Sequence, residues 1–162
     1  MALKEQPGNF AVRLELAGIM ELNGNYEAAI AEYELMLKQQ PGSMIAANNL
    51  ASLLTDNRTD KASLDRAYSL AAVLRKSQVP AFKDTLGWVY YQRGDYKSAI
   101  ALLEEAATAL PNHAMVQYHL GMAYIADRQL AKASEQLKKS LTLAPDAGLQ
   151  QKIRTAQEQA GN

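Results

Sequence analysis

Two imidazoles, His113 and His119, are the chain's only histidines. They stand six positions apart and miss the i, i+4 spacing that sets two metal ligands on one helical face. His113 lies beside Pro111 and Asn112, a turn-forming context in which an exposed side chain is expected. His119 precedes Leu120 in an apolar-periodic stretch and reads as a residue lying between helices, with ligand contact as the alternative. There is no cysteine, which excludes disulfides, thiolate chemistry and cysteine-based zinc sites. The glycines are isolated, so no phosphate-binding loop is present. Acidic pairs such as Glu104-Glu105 read as solvated helix faces. Nothing here assembles an enzyme site, and no cofactor or metal is expected. What remains is recognition chemistry: the aromatic pair Trp88 and Tyr91, and the amides of Asn48 and Asn49, whose donors and acceptors suit a peptide backbone, with helix-surface solvation as the alternative.

Composition narrows the class of partner. The 17 basic and 17 acidic side chains cancel, leaving no electrostatic footprint for nucleic acid. An apolar content of 48% is enough to bury a core. No apolar run approaches the ~20 residues of a membrane span. The stretch Met1–Pro7 lacks the apolar region of a signal peptide. Two readings of the compartment stay open: a cytoplasmic protein, or a segment of a longer protein whose targeting signal lies elsewhere.

The elements that carry these side chains repeat. From Gly94-Asp95-Tyr96, Gly87 lies seven residues before and Pro111 seventeen after. A shift of 70 residues back brings Gly24-Asn25-Tyr26, Ala17 and Pro41 into register. A shift of 34 forward matches Gly121, Ala133 and Pro145 to Gly87, Ala99 and Pro111. Between breakers the apolar residues recur at helical spacing, as in Tyr96, Ala99, Ile100, Leu103, Ala106 and Leu110. Small residues (Ala29, Ala99, Ala133, Gly87 and Gly121) let paired helices approach closely. Alternation is absent and Ala is abundant, so strands are excluded. The period of 34 is that of tetratricopeptide (TPR) arrays.

At these residues the chain resembles the tetratricopeptide repeat family. The third unit reads Leu86-Gly87, Tyr90, Gly94-Asp95-Tyr96, Ala99, Leu103, Ala106 and Pro111. The resemblance implies an all-α fold, a right-handed superhelix of four helix-turn-helix repeats with a C-terminal capping helix. The expected units are 10–43, 44–79, 80–113 and 114–147, followed by a capping helix and tail over 148–162. Leu3–Asn9 matches Leu37–Ser43 and reads as the remnant of a preceding repeat over 1–9, as in a segment taken from a longer array. The second unit departs from the pattern: Asp56-Asn57-Arg58-Thr59-Asp60 replaces the turn, and Ala67 comes four residues late. The spacing predicts one extra N-terminal turn on its second helix, capped by Thr59 or Asp60, with Leu64 on the buried face.

In the third unit Phe82, Leu86, Val89 and Tyr90 form the packing face, which places Asp84, Trp88 and Tyr91 on the other side at ~100° per residue. The repeat carries that stripe to Tyr118, Met122 and Ile125 in the fourth unit and to Asn48, Ser52 and Thr55 in the second. The expected partner-binding groove comprises Asn48, Asn49, Ser52, Asp84, Trp88, Tyr91, Tyr118, Met122 and Ile125. Trp88 is expected to face solvent on one side and to anchor a partner, so that Trp88→Ala weakens binding without unfolding. The alternative for this stripe is burial against the capping helix or a neighbouring chain. It holds no Lys or Arg, which argues against a grip on acidic chaperone tails and for an apolar peptide or helix.

The expected function is a non-enzymatic protein-binding scaffold. The words Asn48–Leu54 and Asp84–Tyr91 also resemble the C-terminal region of bacterial TPR lipoproteins of exosortase and exopolysaccharide systems. That resemblance implies a periplasmic or membrane-anchored parent protein, with no membrane insertion in this segment. The alternatives are an accessory subunit of an enzyme complex, or a self-associating element forming a homodimer through the apolar side of the first repeat.

Overall fold

The structure is a computed structural model that describes residues 9–161. All regular structure among these residues is helical, and the chain divides into two compact units, 1–74 and 75–162. The preceding-repeat remnant expected over 1–9 falls outside the described residues, Asn9 excepted.

Unit 1 holds α1 (Phe10–Leu22), α2 (Tyr26–Gln39), α3 (Met44–Asn57), α4 (Lys61–Ala71) and a single 3-10 turn, Ala72–Leu74. Unit 2 holds α5 (Pro80–Gln92), α6 (Tyr96–Ala109), α7 (Ala114–Ala126), α8 (Leu130–Leu143) and α9 (Ala147–Gln159). Within each unit the helices pack as consecutive antiparallel pairs. In unit 1 α1 packs on α2 and α3 on α4, with α2 against α3. In unit 2 α5 packs on α6 and α7 on α8, with α6 and α5 against α7 and α9 against α8 and α7.

Local chemistry fixes where each helix begins. The Asn9 side chain accepts from the backbone N–H of Ala11 at 3.0 Å. The Ser43, Asp95 and Asp146 side chains accept from the N–H three residues on at 3.3, 3.2 and 2.9 Å. Pro80 opens α5 at a position whose N–H has no helical partner anyway. Gly24 and Gly94 sit in the hairpin turns with φ of 72° and 80°, a backbone that costs an L side chain strain. The fourth unit places Arg128 at the same turn position, also left-handed at φ 62°.

The second hairpin departs from the others as its sequence departs. Asp60 caps α4, its carboxylate accepting from the Ser63 N–H at 2.9 Å. Ala67 is the seventh residue of α4, whereas Ala29, Ala99 and Ala133 are each the fourth of theirs, so one additional turn precedes it. Leu64 is only partly buried, and the fully enclosed apolar residues of this segment are Ala67, Ala71 and Leu74.

Glycine matters most between the paired helices of unit 2. A Cβ on Gly87 would lie 2.8 Å from Leu103 Cγ, and one on Gly121 2.8 Å from Leu137 Cγ. The leucine of the second helix therefore fills the space that the first helix leaves empty. Capping also follows the sequence: α9 buries Leu149, Ile153 and Ala156 and exposes its remaining faces.

Candidate partner-binding site

In unit 2 the site is built on a layer of stacked rings. Trp88 on α5 lies parallel to Tyr91 one turn later, with ring centroids 4.5 Å apart and planes at 4°. On its other side it stacks on His119 of α7 at 4.1 Å and 14°. His119 Nδ1 reaches the Asp84 carboxylate at 3.1 and 3.2 Å. Tyr91 meets Tyr96 at a tilted 5.7 Å, and Tyr118 meets Trp88 at a tilted 6.3 Å. Burial pushes the Tyr91 phenol above its ordinary value, with the neighbouring Tyr96 adding to the shift. This layer excludes water from one side of the α5–α7 contact and holds both helices in register.

The stack corrects the sequence expectation for Trp88. Its indole is 7% exposed and its ring contacts lie within the protein, so it supports the surface rather than forming it. Asp84 likewise faces His119, which is 5% exposed and lies between α5 and α7. His113 is exposed at the N-cap of α7, as expected. Tyr91, Tyr118, Met122 and Ile125 are half-buried, with part of each side chain presented to solvent. Tyr118 and Met122 floor a cleft of about 250 Å³ whose opposite wall is α9, including Thr155 and Ala156. The capping helix thus forms one side of an open cleft without covering these residues completely.

In unit 1 the corresponding side chains are engaged with one another. Asn49 Nδ2 donates to the Tyr33 hydroxyl at 3.2 Å, and that hydroxyl donates to Glu21 Oε1 at 2.5 Å. Asn48 Nδ2 donates to Asn49 Oδ1 at 3.1 Å, and Asn48 Oδ1 is buried without a hydrogen-bond partner among the described residues. The expectation that both amides serve a bound peptide is corrected: Asn49 is committed to Tyr33. Ser52 donates to Asp56 at 3.3 Å, and Thr55 is buried and returns its hydroxyl to Ala51 and Ser52 carbonyls of its own helix. Burial pushes the Glu21 carboxyl up, partly opposed by the Tyr33 hydrogen bond and reinforced by Asp56. Burial, then the bond to Glu21, pushes the Tyr33 phenol up as well.

Several ties escaped the sequence. Gln117, fully buried, directs Nε2 at the carbonyls of Ala107, Leu110 and Pro111, each 3.4 Å away, and so fastens α7 to the end of α6. Ser140 donates to the Ala114 carbonyl at 2.8 Å. Glu104 and Glu105 are not merely solvated: Tyr124 donates to Glu104 and Lys83 to Glu105, both at 2.5 Å. The signal for Gln117 was a polar residue on the buried face of a helix, one turn after its N-cap. Among the described residues no group of three or more His, Asp or Glu is placed to hold a metal ion. No described helix is long and apolar enough to cross a membrane.

A family model of the tetratricopeptide repeat matches residues 2–54 and 90–156. The chain belongs to the tetratricopeptide repeat family. The unmatched stretch includes the divergent second helix of the second TPR unit. The cellulose synthase operon protein C of Pseudomonas fluorescens (strain SBW25) is 27% identical over 150 residues, covering 87% of this chain. This chain spans 12% of that relative's length. A thermophilic TPR protein of Thermus thermophilus superposes with a TM-score of 0.73 at 24% identity, over 96% of this chain and 84% of that one. YrrB, described as a TPR protein with an unusual peptide-binding site, gives 0.63 at 18% identity over 98% and 84%. Those likenesses show the fold, which is that of a TPR scaffold suited to protein–protein interaction.

Proposed function

We propose that this chain is a non-enzymatic scaffold whose unit 2 receives a peptide or helix of a partner protein on the face formed by Tyr91, Tyr118, Met122 and Ile125. The observation that carries the reading is the open cleft between α7 and α9, floored by Tyr118 and Met122. Trp88 and Asp84 act behind that face, holding α5 to α7. In unit 1, Asn48 and Ser52 are the residues of the stripe with surface left to offer, Asn49 being committed internally. The repeats are read as 10–43, 44–79, 80–113 and 114–147 with a cap from 148. The peptide-binding site in the description of YrrB supports the class of ligand. The balanced charge supports a protein partner over nucleic acid.

The parent role proposed is a larger bacterial envelope protein, periplasmic or membrane-anchored, linked to exopolysaccharide export. Similarity to a cellulose synthase operon protein supports the polysaccharide part. The exosortase and protein-sorting version rests on the sequence words alone. A photoreactive phenylalanine at Met122 is expected to crosslink a partner chain in intact cells, while the same residue at Ala101 on the outer face of α6 does not. Equal yields at the two positions would overturn the reading. One observation favours a second reading, a homodimer through the first repeat: Ile19 and Leu22 on α1 are 55% and 89% exposed. A concentration-independent monomer in sedimentation would remove it.

A further inference from the structure

The α9 wall of the unit 2 cleft carries a polar pattern of its own. Gln151, Thr155 and Gln159 recur every fourth residue, all exposed along the cleft. None of these side chains makes a hydrogen bond among the described residues. Their neighbour Gln150 does, donating to the Ala144 carbonyl at 3.3 Å. Lys152, also on the lining, makes no ion pair among the described residues, and the lining contains no carboxylate. The floor between the walls is apolar: Tyr118, Met122 and Ala156.

Size and spacing select among ligands. A cleft of about 250 Å³ falls below the ~300–1,000 Å³ typical of small-molecule sites and suits one side chain of a larger ligand. Four helical residues rise ~6.0 Å. Two residues of an extended chain advance ~6.6 Å. Over the two intervals from Gln151 to Gln159 the mismatch is only about 1 Å, which side-chain rotation absorbs. Amides and a hydroxyl, each both donor and acceptor, then meet alternate peptide groups of an extended strand. A partner helix would satisfy its own backbone and leave that ladder unused.

Resting on the reading of unit 2 as a partner-binding face, we propose that the α7–α9 cleft takes an extended peptide. One medium-sized apolar side chain of that peptide enters between Tyr118, Met122 and Ala156. Its backbone bonds to Gln151, Thr155 and Gln159. An adjacent carboxylate pairs with Lys152. The commitment to an acidic neighbour follows from charge, because Lys152 is the one charged side chain on the lining.

Isothermal titration of the full chain with end-blocked heptapeptides tests this. The panel carries a central leucine flanked by glutamates, with alanine replacing the leucine, or lysine replacing the glutamates, as controls. The leucine–glutamate peptide is expected to bind, and either replacement to weaken it about tenfold. Lys152→Glu reverses the preference between glutamate and lysine peptides, a reversal that misfolding cannot produce. Thr155→Arg, at an exposed position, fills the cleft and abolishes binding with the helical content unchanged. No heat from the leucine–glutamate peptide at about 1 mM overturns the proposal. So do equal affinities across the panel, or undiminished binding by Thr155→Arg. If peptide binding fails but crosslinking from Met122 persists, the ligand chemistry is wrong and the scaffold reading stands. If both fail, both fall.

Discussion

Where unit 2 carries Leu103 and Leu137, unit 1 carries Tyr33 at the same repeat position. In unit 2 each leucine enters a space cleared by a glycine, Gly87 or Gly121, and the contact is made by apolar side chains. In unit 1 the facing residue is Ala17, and the phenol reaches on to Glu21 and Asn49. One helix pairing is thus fastened by shape, the other by a hydrogen-bonded chain. The consequence extends to the faces left over. Shape-fastened unit 2 keeps aromatic and apolar side chains beside an open cleft, with Trp88 and His119 stacked behind them. Unit 1 uses its amides internally, and little of its stripe stays available. The residue type buried in the second helix thus goes with a different use of the facing polar groups: Tyr33 engages Glu21 and Asn49, and Leu103 and Leu137 make no such demand.

The contrast makes measurable demands. The largest effect is expected at Trp88. Trp88→Ala removes the middle of the stack and should cost unit 2 about 3–5 kcal/mol in urea denaturation followed by circular dichroism. A loss near zero would mean that the stack contributes no cohesion and would return Trp88 to the list of partner contacts. Next come the glycines. Gly121→Ala forces its Cβ against Leu137 and should cost ~1–3 kcal/mol. The cost should shrink when Leu137 is itself shortened to Ala, because the two residues share one space. Simple additivity of the two changes would contradict shape-fastening.

Unit 1 should respond to polar deletions instead. Tyr33→Phe leaves Glu21 and Asn49 without their shared partner and should cost about 1–3 kcal/mol, whereas nothing comparable exists to delete at Leu103. Glu21 adds a pH signature. Folding raises its pKa, so the folded state holds that proton more tightly than the unfolded chain. Its contribution is full below the carboxylate range and declines as pH rises through the folded value. Glu21→Gln keeps an acceptor for Tyr33 and removes the charge. The stability of the variant relative to the native chain should therefore rise between acidic and neutral pH. A constant difference would place Glu21 in an unperturbed environment. The smallest effect is expected at the turn of the fourth hairpin. Arg128→Gly relieves ~1–2 kcal/mol of left-handed strain. It adds ~0.5–1 kcal/mol of backbone entropy lost on folding. A net gain of about 0.5 kcal/mol in unit 2 should follow, read from the same urea titration.

Much of the fold was legible because repeats overdetermine it. Pro7 and Pro41, Gly87 and Gly121, Ala99 and Ala133, and Pro111 and Pro145 all report one period, and the helices follow those marks. The irregular second hairpin was readable only in part: Asp60 caps α4, whereas Leu64, expected on the buried face, is only partly buried. The site was less legible for a physical reason. Angular position on a helix says which side chains share a face, and it placed Asp84, Trp88 and Tyr91 together. It does not say what the next helix brings to that face. His119 fills the space beside Trp88, and Tyr33 claims Asn49; both come from other helices and carry no local mark. Gln117 is the same kind of case, a polar side chain whose three carbonyl neighbours are assembled only when α6 ends beside it.

Trp88 is the only tryptophan in the chain, and it lies flat between a phenol and an imidazole. Its emission is therefore a built-in optical gauge of one half of the molecule. Opening the α5–α7 contact unstacks the indole and changes its light, while melting of α1–α4 leaves its immediate ring neighbours untouched. Paired with a signal that counts all helices, this one chromophore separates the unfolding of the two halves without any label.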